Sequence, residues 1–176
     1  MKRKVAVLAL GMLLGAGAAQ TQSVVFLVRH ADRASSADDS LLSPRGEARA
    51  KCLANTLRDA HIATIFTTSV KRTQQTAAPA ADQFHLQTKI LPKANSSELV
   101  KEVERSDSRP VLVVGHADTL PSIVQQLGAG EIPKFGDREY DRLTVIPIAD
   151  GKAQPALTLR YCSAASDAAA ADTSMR

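Results

Sequence analysis

The sequence predicts an α/β layered fold around a mostly parallel sheet, on three observations. Val24, Val25, Phe26, Leu27 and Val28 form an unbroken apolar run, the pattern of a strand buried on both faces. A second such run, Val111, Leu112, Val113 and Val114, lies far downstream. Between and after them, β-branched stretches alternate with segments whose apolar residues recur at helical spacing. That alternation marks crossover units, which build parallel sheets with helices on their faces. The 176 residues suit one domain.

The first residues read as an address rather than as fold. Met1-Lys2-Arg3-Lys4 is basic, the next fifteen residues are uncharged and mostly apolar, and Ala16-Gly17-Ala18-Ala19 supplies small residues for cleavage. Residues 1–19 are therefore expected to be a secretory signal peptide, leaving a domain over 20–162 that is periplasmic or secreted. The apolar run is shorter than the roughly 20 residues of a membrane span, so no span is expected after processing. Loss of Lys2, Arg3 and Lys4 leaves 19 basic residues against 18 acidic, a net charge of +1 rather than +4. With no basic stripe interleaved with aromatics, nucleic acid is not an expected partner. Two cysteines, Cys52 and Cys162, enter an oxidising compartment. They are too few for a disulfide framework, and two half-buried thiols are favoured over a bridge.

Each later element has its own signal. After the first strand, residues 34–40 are small and polar, as in a surface loop. Ser43 then offers an N-cap and Pro44 a first helical residue. Ala50, Leu53, Leu57 and Ala60 follow at helical spacing, predicting a helix over 44–60. Residues 62–68 are β-branched and predict the second strand. Ser69 is placed to cap the next helix, with Arg72 in its first turn and Pro79 kinking or stopping it. Residues 88–91 predict a short third strand. Asn95-Ser96-Ser97-Glu98 opens a short helix with Leu99 and Val103 inward. The apolar run 111–114 leads into Gly115-His116, and a brief helix stops near Gly128. Residues 128–137 are rich in Gly and Pro and predict a loop. Residues 142–148 and 156–161 predict two late strands, an antiparallel hairpin at the sheet edge around Asp150-Gly151. Residues 163–176 are Ala, Ser and Asp without apolar periodicity, so a disordered tail is expected. The run from Lys101 to Arg109 reads as a solvated helix face, and His61 and His85 as surface residues.

The candidate chemistry gathers at strand ends. Arg29 and His30 close the first buried strand and His116 another, while Arg72 opens the helix after a third. In a parallel sheet all of them face the carboxyl edge, where open α/β sheets bind ligands. Crowded cations repel one another unless an anion joins them. Arg72 would also stand beside the free N–H groups and positive end of its helix. An arginine fork pairs two phosphate oxygens at once. A neutral imidazole can attack phosphorus and form a covalent phosphohistidine, with no metal or cofactor required.

Arg29-His30-Ala31, then Thr68-Ser69-Val70-Lys71-Arg72-Thr73-Gln74-Gln75-Thr76-Ala77, then Val113-Val114-Gly115-His116, resembles the histidine phosphatase superfamily, the relatives of phosphoglycerate mutase. Leu42-Ser43-Pro44-Arg45-Gly46-Glu47-Ala48 also resembles that family's helix start. The resemblance covers nearly all of residues 24–161. It implies a three-layer sandwich and a phosphomonoester hydrolase with His30 as nucleophile. It also implies Arg29, Arg72 and His116 around the phosphate, and Arg33 as a further phosphate contact like that of the acid phosphatase branch. The family's usual Gly is Ala31 here. Its proton donor has no clear counterpart: Glu98 is the nearest acid in one region, and Ala117 separates His116 from Asp118, which is the preferred candidate. A phosphohistidine or acyl phosphate would need little help from an acid. The expected partner is a phosphorylated small molecule or phosphoprotein; the residues do not choose between them or fix the oligomeric state.

Two other readings use the same residues. His30, Asp32, His116 and Asp118, from the paired His-Ala-Asp segments, would ligate a divalent ion that activates water; three neighbouring arginines suit a dication poorly. A periplasmic binder of phosphate ligands without turnover would explain the missing acid. Phe135, Tyr140 and Arg142 in the late loop either border the pocket or pack that loop; packing is the preferred reading and no role is assigned to them.

Overall fold

The computed structural model describes residues 22–93, 96–106 and 109–162. The expected signal peptide (1–19), the expected disordered tail (163–176) and Asn95 lie outside the described residues. The chain runs β1 (Gln22–Arg29), α1 (Pro44–Thr56), β2 (Thr64–Thr68), α2 (Lys71–Phe84), β3 (Thr88–Leu91), α3 (Ser96–Glu104), β4 (Val111–Gly115), α4 (Leu120–Gln126), β5 (Arg142–Ala149), β6 (Lys152–Ala153) and β7 (Leu157–Arg160).

One sheet has the order β3-β2-β4-β1-β5-β6, with β7 also paired to β5. The four strands from β3 to β1 are mutually parallel, and β5 runs antiparallel to β1. The fold class is α/β with antiparallel strands late in the chain, as expected, but the sheet is mixed rather than mostly parallel: three pairings are parallel and three, all involving β5, are antiparallel. Side-chain alternation builds two cores from the same strands. Val28, Ile65, Leu112 and Val114 join Leu53 of α1, Leu57 just beyond its end, and Ala77, Ala80 and Ala81 of α2. Val25, Leu27, Phe66 and Val113 join Val100 and Val103 of α3 and Leu120, Ile123 and Val124 of α4. The unbroken apolar runs thus reflect helices on both faces of β1 and β4, and each fully buried Val or Leu side chain contributes about 1.5–3 kcal/mol.

The seat of α1 fixes how the chain leaves β1. The Ser43 side chain accepts from Gly46 N (3.1 Å) and donates to the Asp32 carbonyl (3.2 Å). A Cβ at Gly46 would lie 2.1 Å from that carbonyl oxygen, so only glycine lets the helix approach. The helix ends at Thr56 rather than near Ala60. Arg58 N and Ala60 N turn to carbonyls three residues back, which tightens the last turn. Leu57 stays buried, but His61 reverses the chain at φ 50° and delays β2 to Thr64.

Three further expectations need correction. Ser69 does not cap α2: Val70 occupies that position without a side-chain bond, and Lys71 N instead finds the Asp39 carboxylate at 3.2 Å from the distant loop. Pro79 does not stop α2, which continues to Phe84. Burial of Ala77, Ala80 and Ala81 on either side of it outweighs one lost backbone hydrogen bond. The cysteines are not thiols: Cys52 and Cys162 form a disulfide with Cα atoms 6.2 Å apart. β7 pairs with β5 and brings Cys162 over α1, a meeting that a separation of 110 residues conceals.

The late strands differ in detail. Asp150 and Gly151 both take positive φ and make a two-residue turn, but that turn joins β5 to the short β6. Pro155, with no N–H to give, separates β6 from β7, which then pairs with the beginning of β5. In α3, Val100 joins Val103 as buried while Leu99 is half-buried. His61 and His85 are exposed, as read. Among the described residues no helix is long and apolar enough to cross a membrane.

Candidate active site

The parallel register brings the distant motifs to one level. Arg29 pairs with Gly115 across β1 and β4, and His30 N donates to the Gly115 carbonyl at 2.9 Å. The next residues, His30 and His116, therefore stand side by side with ring centroids 5.4 Å apart. Both are buried.

His30 has a defined proton. Its Nδ1 lies 2.8 Å from the Ala31 carbonyl. A carbonyl only accepts, so Nδ1 carries the hydrogen and Nε2 keeps its lone pair. Burial pushes the His30 pKa down to about 4; Arg72, Arg29 and Arg33 push the same way, against the Ala31 hydrogen bond. Ala31 is itself fixed, its N–H donating to Thr76 Oγ1 at 2.9 Å while that hydroxyl donates to the Arg72 carbonyl at 2.7 Å.

His116 has the complementary arrangement. Its Nδ1 faces Arg72 Nη2 at 3.4 Å, and a guanidinium only donates. Nε2 then carries the proton and donates to Thr68 Oγ1 at 3.0 Å. Burial, followed by the neighbouring His30, Lys93 and Arg72, lowers its pKa to about 3. At neutral pH the site thus holds two uncharged imidazoles.

Arg29 and Arg72 are buried beside them. Arg72 Nη1 donates to the Asp38 carbonyl. Arg29 Nη1 donates to the carbonyls of Gly136 (2.9 Å), Asp137 (3.2 Å) and Glu139 (3.2 Å). The Nε groups of both arginines are buried with no acceptor in the protein. Two buried cations with spare donors next to neutral imidazoles suit a ligand carrying negative oxygens. Arg33 is exposed, and its charge reaches both His30 and Arg72.

The carboxylates of the paired His-Ala-Asp segments, Asp118 and Asp32, are both engaged by cations. Asp118 is exposed and pairs with Lys93 at 3.2 Å. Its partial burial works to raise its pKa, but the hydrogen bond and charge of Lys93 outweigh that and hold it below the ordinary value. Asp32 pairs with Arg49 at 2.7 Å and Arg45 at 3.3 Å. Neither supports the four-ligand metal reading, and no group of three His, Cys, Asp or Glu among the described residues is placed to hold a metal.

Tyr140, for which packing of the late loop is the preferred reading from sequence, borders the site instead. Its ring lies 5.8 Å from that of His30, with the Arg29 guanidinium 4.2 Å above it. Phe135 and Arg142 do pack the late loop, Arg142 lying 4.2 Å over the Phe135 ring. Sequence reasoning missed Thr68 and Thr76 as supports, although both stand in the second motif. Volume alone does not mark the site: a cavity of about 110 Å³ opens at the other end of β1, lined by Ser23, Val25, Arg109 and Gly151 among others. The converging imidazoles and guanidiniums mark the site instead.

Residues 25–96 match the model of the histidine phosphatase superfamily, branch 1. That span includes His30 and Arg72 but stops before His116. No curated protein matches the chain in sequence. Among solved structures, a mycobacterial hydrolase aligns with a TM-score of 0.65 at 14% identity, covering 85% of this chain and 97% of that one. The protein histidine phosphatase SixA, complexed with tungstate, aligns at 0.62 and 20% identity, covering 78% and 96%. A mycobacterial glucosyl-3-phosphoglycerate phosphatase aligns at 0.59 and 14% identity, covering 80% and 98%. These likenesses show the fold.

Proposed function

We propose that this chain, a histidine phosphatase superfamily protein by motif, family match and fold, is a metal-independent phosphomonoester hydrolase acting through a covalent phosphohistidine on His30. The observation that carries the reading is one neutral imidazole, proton fixed on Nδ1, between two buried guanidiniums that keep Nε donors unused.

The Nε2 lone pair of His30 attacks phosphorus; the N–P bond forms as the bond to the leaving group breaks, and the leaving group departs with its electron pair. Arg29 and Arg72 donate to the phosphoryl oxygens, His116 lines the same pocket and accepts from Arg72 through Nδ1, and Arg33 adds charge at the rim. Water then attacks phosphorus, the N–P bond breaks, a proton passes to solvent, and phosphate leaves with His30 neutral again. An Asp118 ionised beside Lys93 has no proton to give the leaving group. This favours substrates whose leaving group needs little protonation, such as a phosphohistidine or acyl phosphate. The structural likeness to a protein histidine phosphatase supports that preference. The secreted or periplasmic location belongs to the same proposal, and the Cys52–Cys162 bridge supports an oxidising compartment.

The test is rapid-quench labelling with a phosphorus-32 substrate. Acid-labile, base-stable label is expected on the wild type and none on His30→Ala, whose turnover falls on the order of a thousandfold or more. Turnover of p-nitrophenyl phosphate separates the hydrolase from a binder, and survival of that turnover in chelator separates it from a metal enzyme. An active His30→Ala protein ends the mechanism.

A further inference from the structure

One partly buried charge cluster has no part in the chemistry proposed above. Arg142 and Arg160 are directly opposite each other across β5 and β7, a pairing of like charges that is unfavourable unless something lies between them. The Glu139 carboxylate does. It accepts from Arg142 Nη2 and from Arg160 Nη2, each at 2.6 Å, and from Gly136 N at 2.9 Å. Arg142 also donates to the Pro133 carbonyl, and Arg160 to Asp141 at 2.6 Å. Tyr161 adds two bonds, its N–H to the Asp141 carbonyl (2.9 Å) and its hydroxyl to the Tyr140 carbonyl (3.1 Å).

These bonds close residues 133–141 into a fixed turn. The carbonyls of Gly136, Asp137 and Glu139 in that turn are the three that receive Arg29 Nη1. Glu139 is thus joined to Arg29 twice: through its own carbonyl, and through the Gly136 backbone that its carboxylate holds. It has no acid–base role itself. Although its burial works to raise its pKa, the bonds from Arg142, Gly136 and Arg160 hold it at about 2.

We infer that Glu139 is a positioning residue for Arg29: by bridging Arg142 and Arg160 it sets the carbonyl cradle that grips Nη1 and so fixes how the guanidinium is presented to the phosphoryl group. The inference rests on the reading of Arg29 as a phosphate ligand.

The experiment compares Glu139→Gln and Arg160→Gln in the wild-type and Arg29→Ala backgrounds, using the full chain as processed and p-nitrophenyl phosphate as substrate. Glu139→Gln is expected to lower kcat/KM about tenfold when Arg29 is present and less than about twofold when it is absent. The inhibition constant for inorganic phosphate should rise in parallel in the Arg29 background. A role confined to folding would instead lower both backgrounds alike, through the folded fraction, and that result overturns the inference. Arg160 is half exposed, so Arg160→Gln carries the same test if Glu139→Gln fails to fold, with a loss of about threefold expected. Equal losses with an inactive His30→Ala sink the Glu139 role alone; an active His30→Ala sinks the parent reading as well.

Discussion

The two walls of the site are held by different physics. His30 and His116 stand on the ends of β1 and β4, strands packed between two layers of helices, and their spacing is set by backbone register. Arg29 and Tyr140 depend on residues 133–141, which contain no strand or helix and are held by ion pairs, carbonyl contacts and the stapled end of the chain. Apolar burial is non-directional and robust, whereas buried charge pairs are costly to break on one side. The imidazole wall should therefore tolerate change outside its own residues, and the loop wall should not.

The largest expected departure between the walls follows from the disulfide. Replacing Cys52 and Cys162 with serine, or reducing them, should lower stability by about 3–5 kcal/mol, since the bridge closes a long loop of the unfolded chain. Thermal melts with and without reductant measure this. Hydrogen exchange in the reduced protein should rise first in 133–162, while amides of β1 and β4 stay protected. Uniform loss of protection would abolish the distinction between the walls.

Acid should strike the imidazole wall next. Both histidines have folded pKa values below the unfolded value of 6.5, about 4 for His30 and about 3 for His116. The unfolded chain therefore takes up protons first as pH falls. Their contribution to stability is complete above pH 6.5 and is lost as pH falls through 4 and 3. Histidine ring signals followed by NMR should titrate near those two values. A midpoint near 6.5 for His30 would show a solvated ring and remove the case for a buried neutral nucleophile.

The smallest effect is expected at Asp118, which belongs to neither wall. Asp118→Asn should change turnover of p-nitrophenyl phosphate by less than about twofold, because an exposed ion pair contributes little. A large loss would restore Asp118 as the proton donor.

How much of this was legible in the sequence follows the same division. β1, β4 and α1 could be read because their signals are local: an apolar run, an Ser43-Pro44 cap, helical spacing of Leu53 and Leu57. The convergence of His30, Arg72 and His116 followed from parallel topology, and the structure brings them together. What stayed hidden needs partners far apart in sequence. Asp39 caps α2 from a loop, Cys162 reaches Cys52, and Glu139 sits between two arginines that only strand pairing brings opposite. Tyr140 carried no motif at all. Its place beside His30 depends on Tyr161 and Arg160, twenty residues on, and no periodicity encodes that.

The bridge has one more consequence, for the chain when a protease cuts it. Every peptide bond from Cys52 to Cys162 lies within the loop it closes, and so do Arg72, His116 and Tyr140. A single cut in any surface turn of that stretch yields two pieces that stay covalently tethered. Such a nicked molecule would migrate as one species until treated with thiol, its severed ends still held where the intact chain had put them.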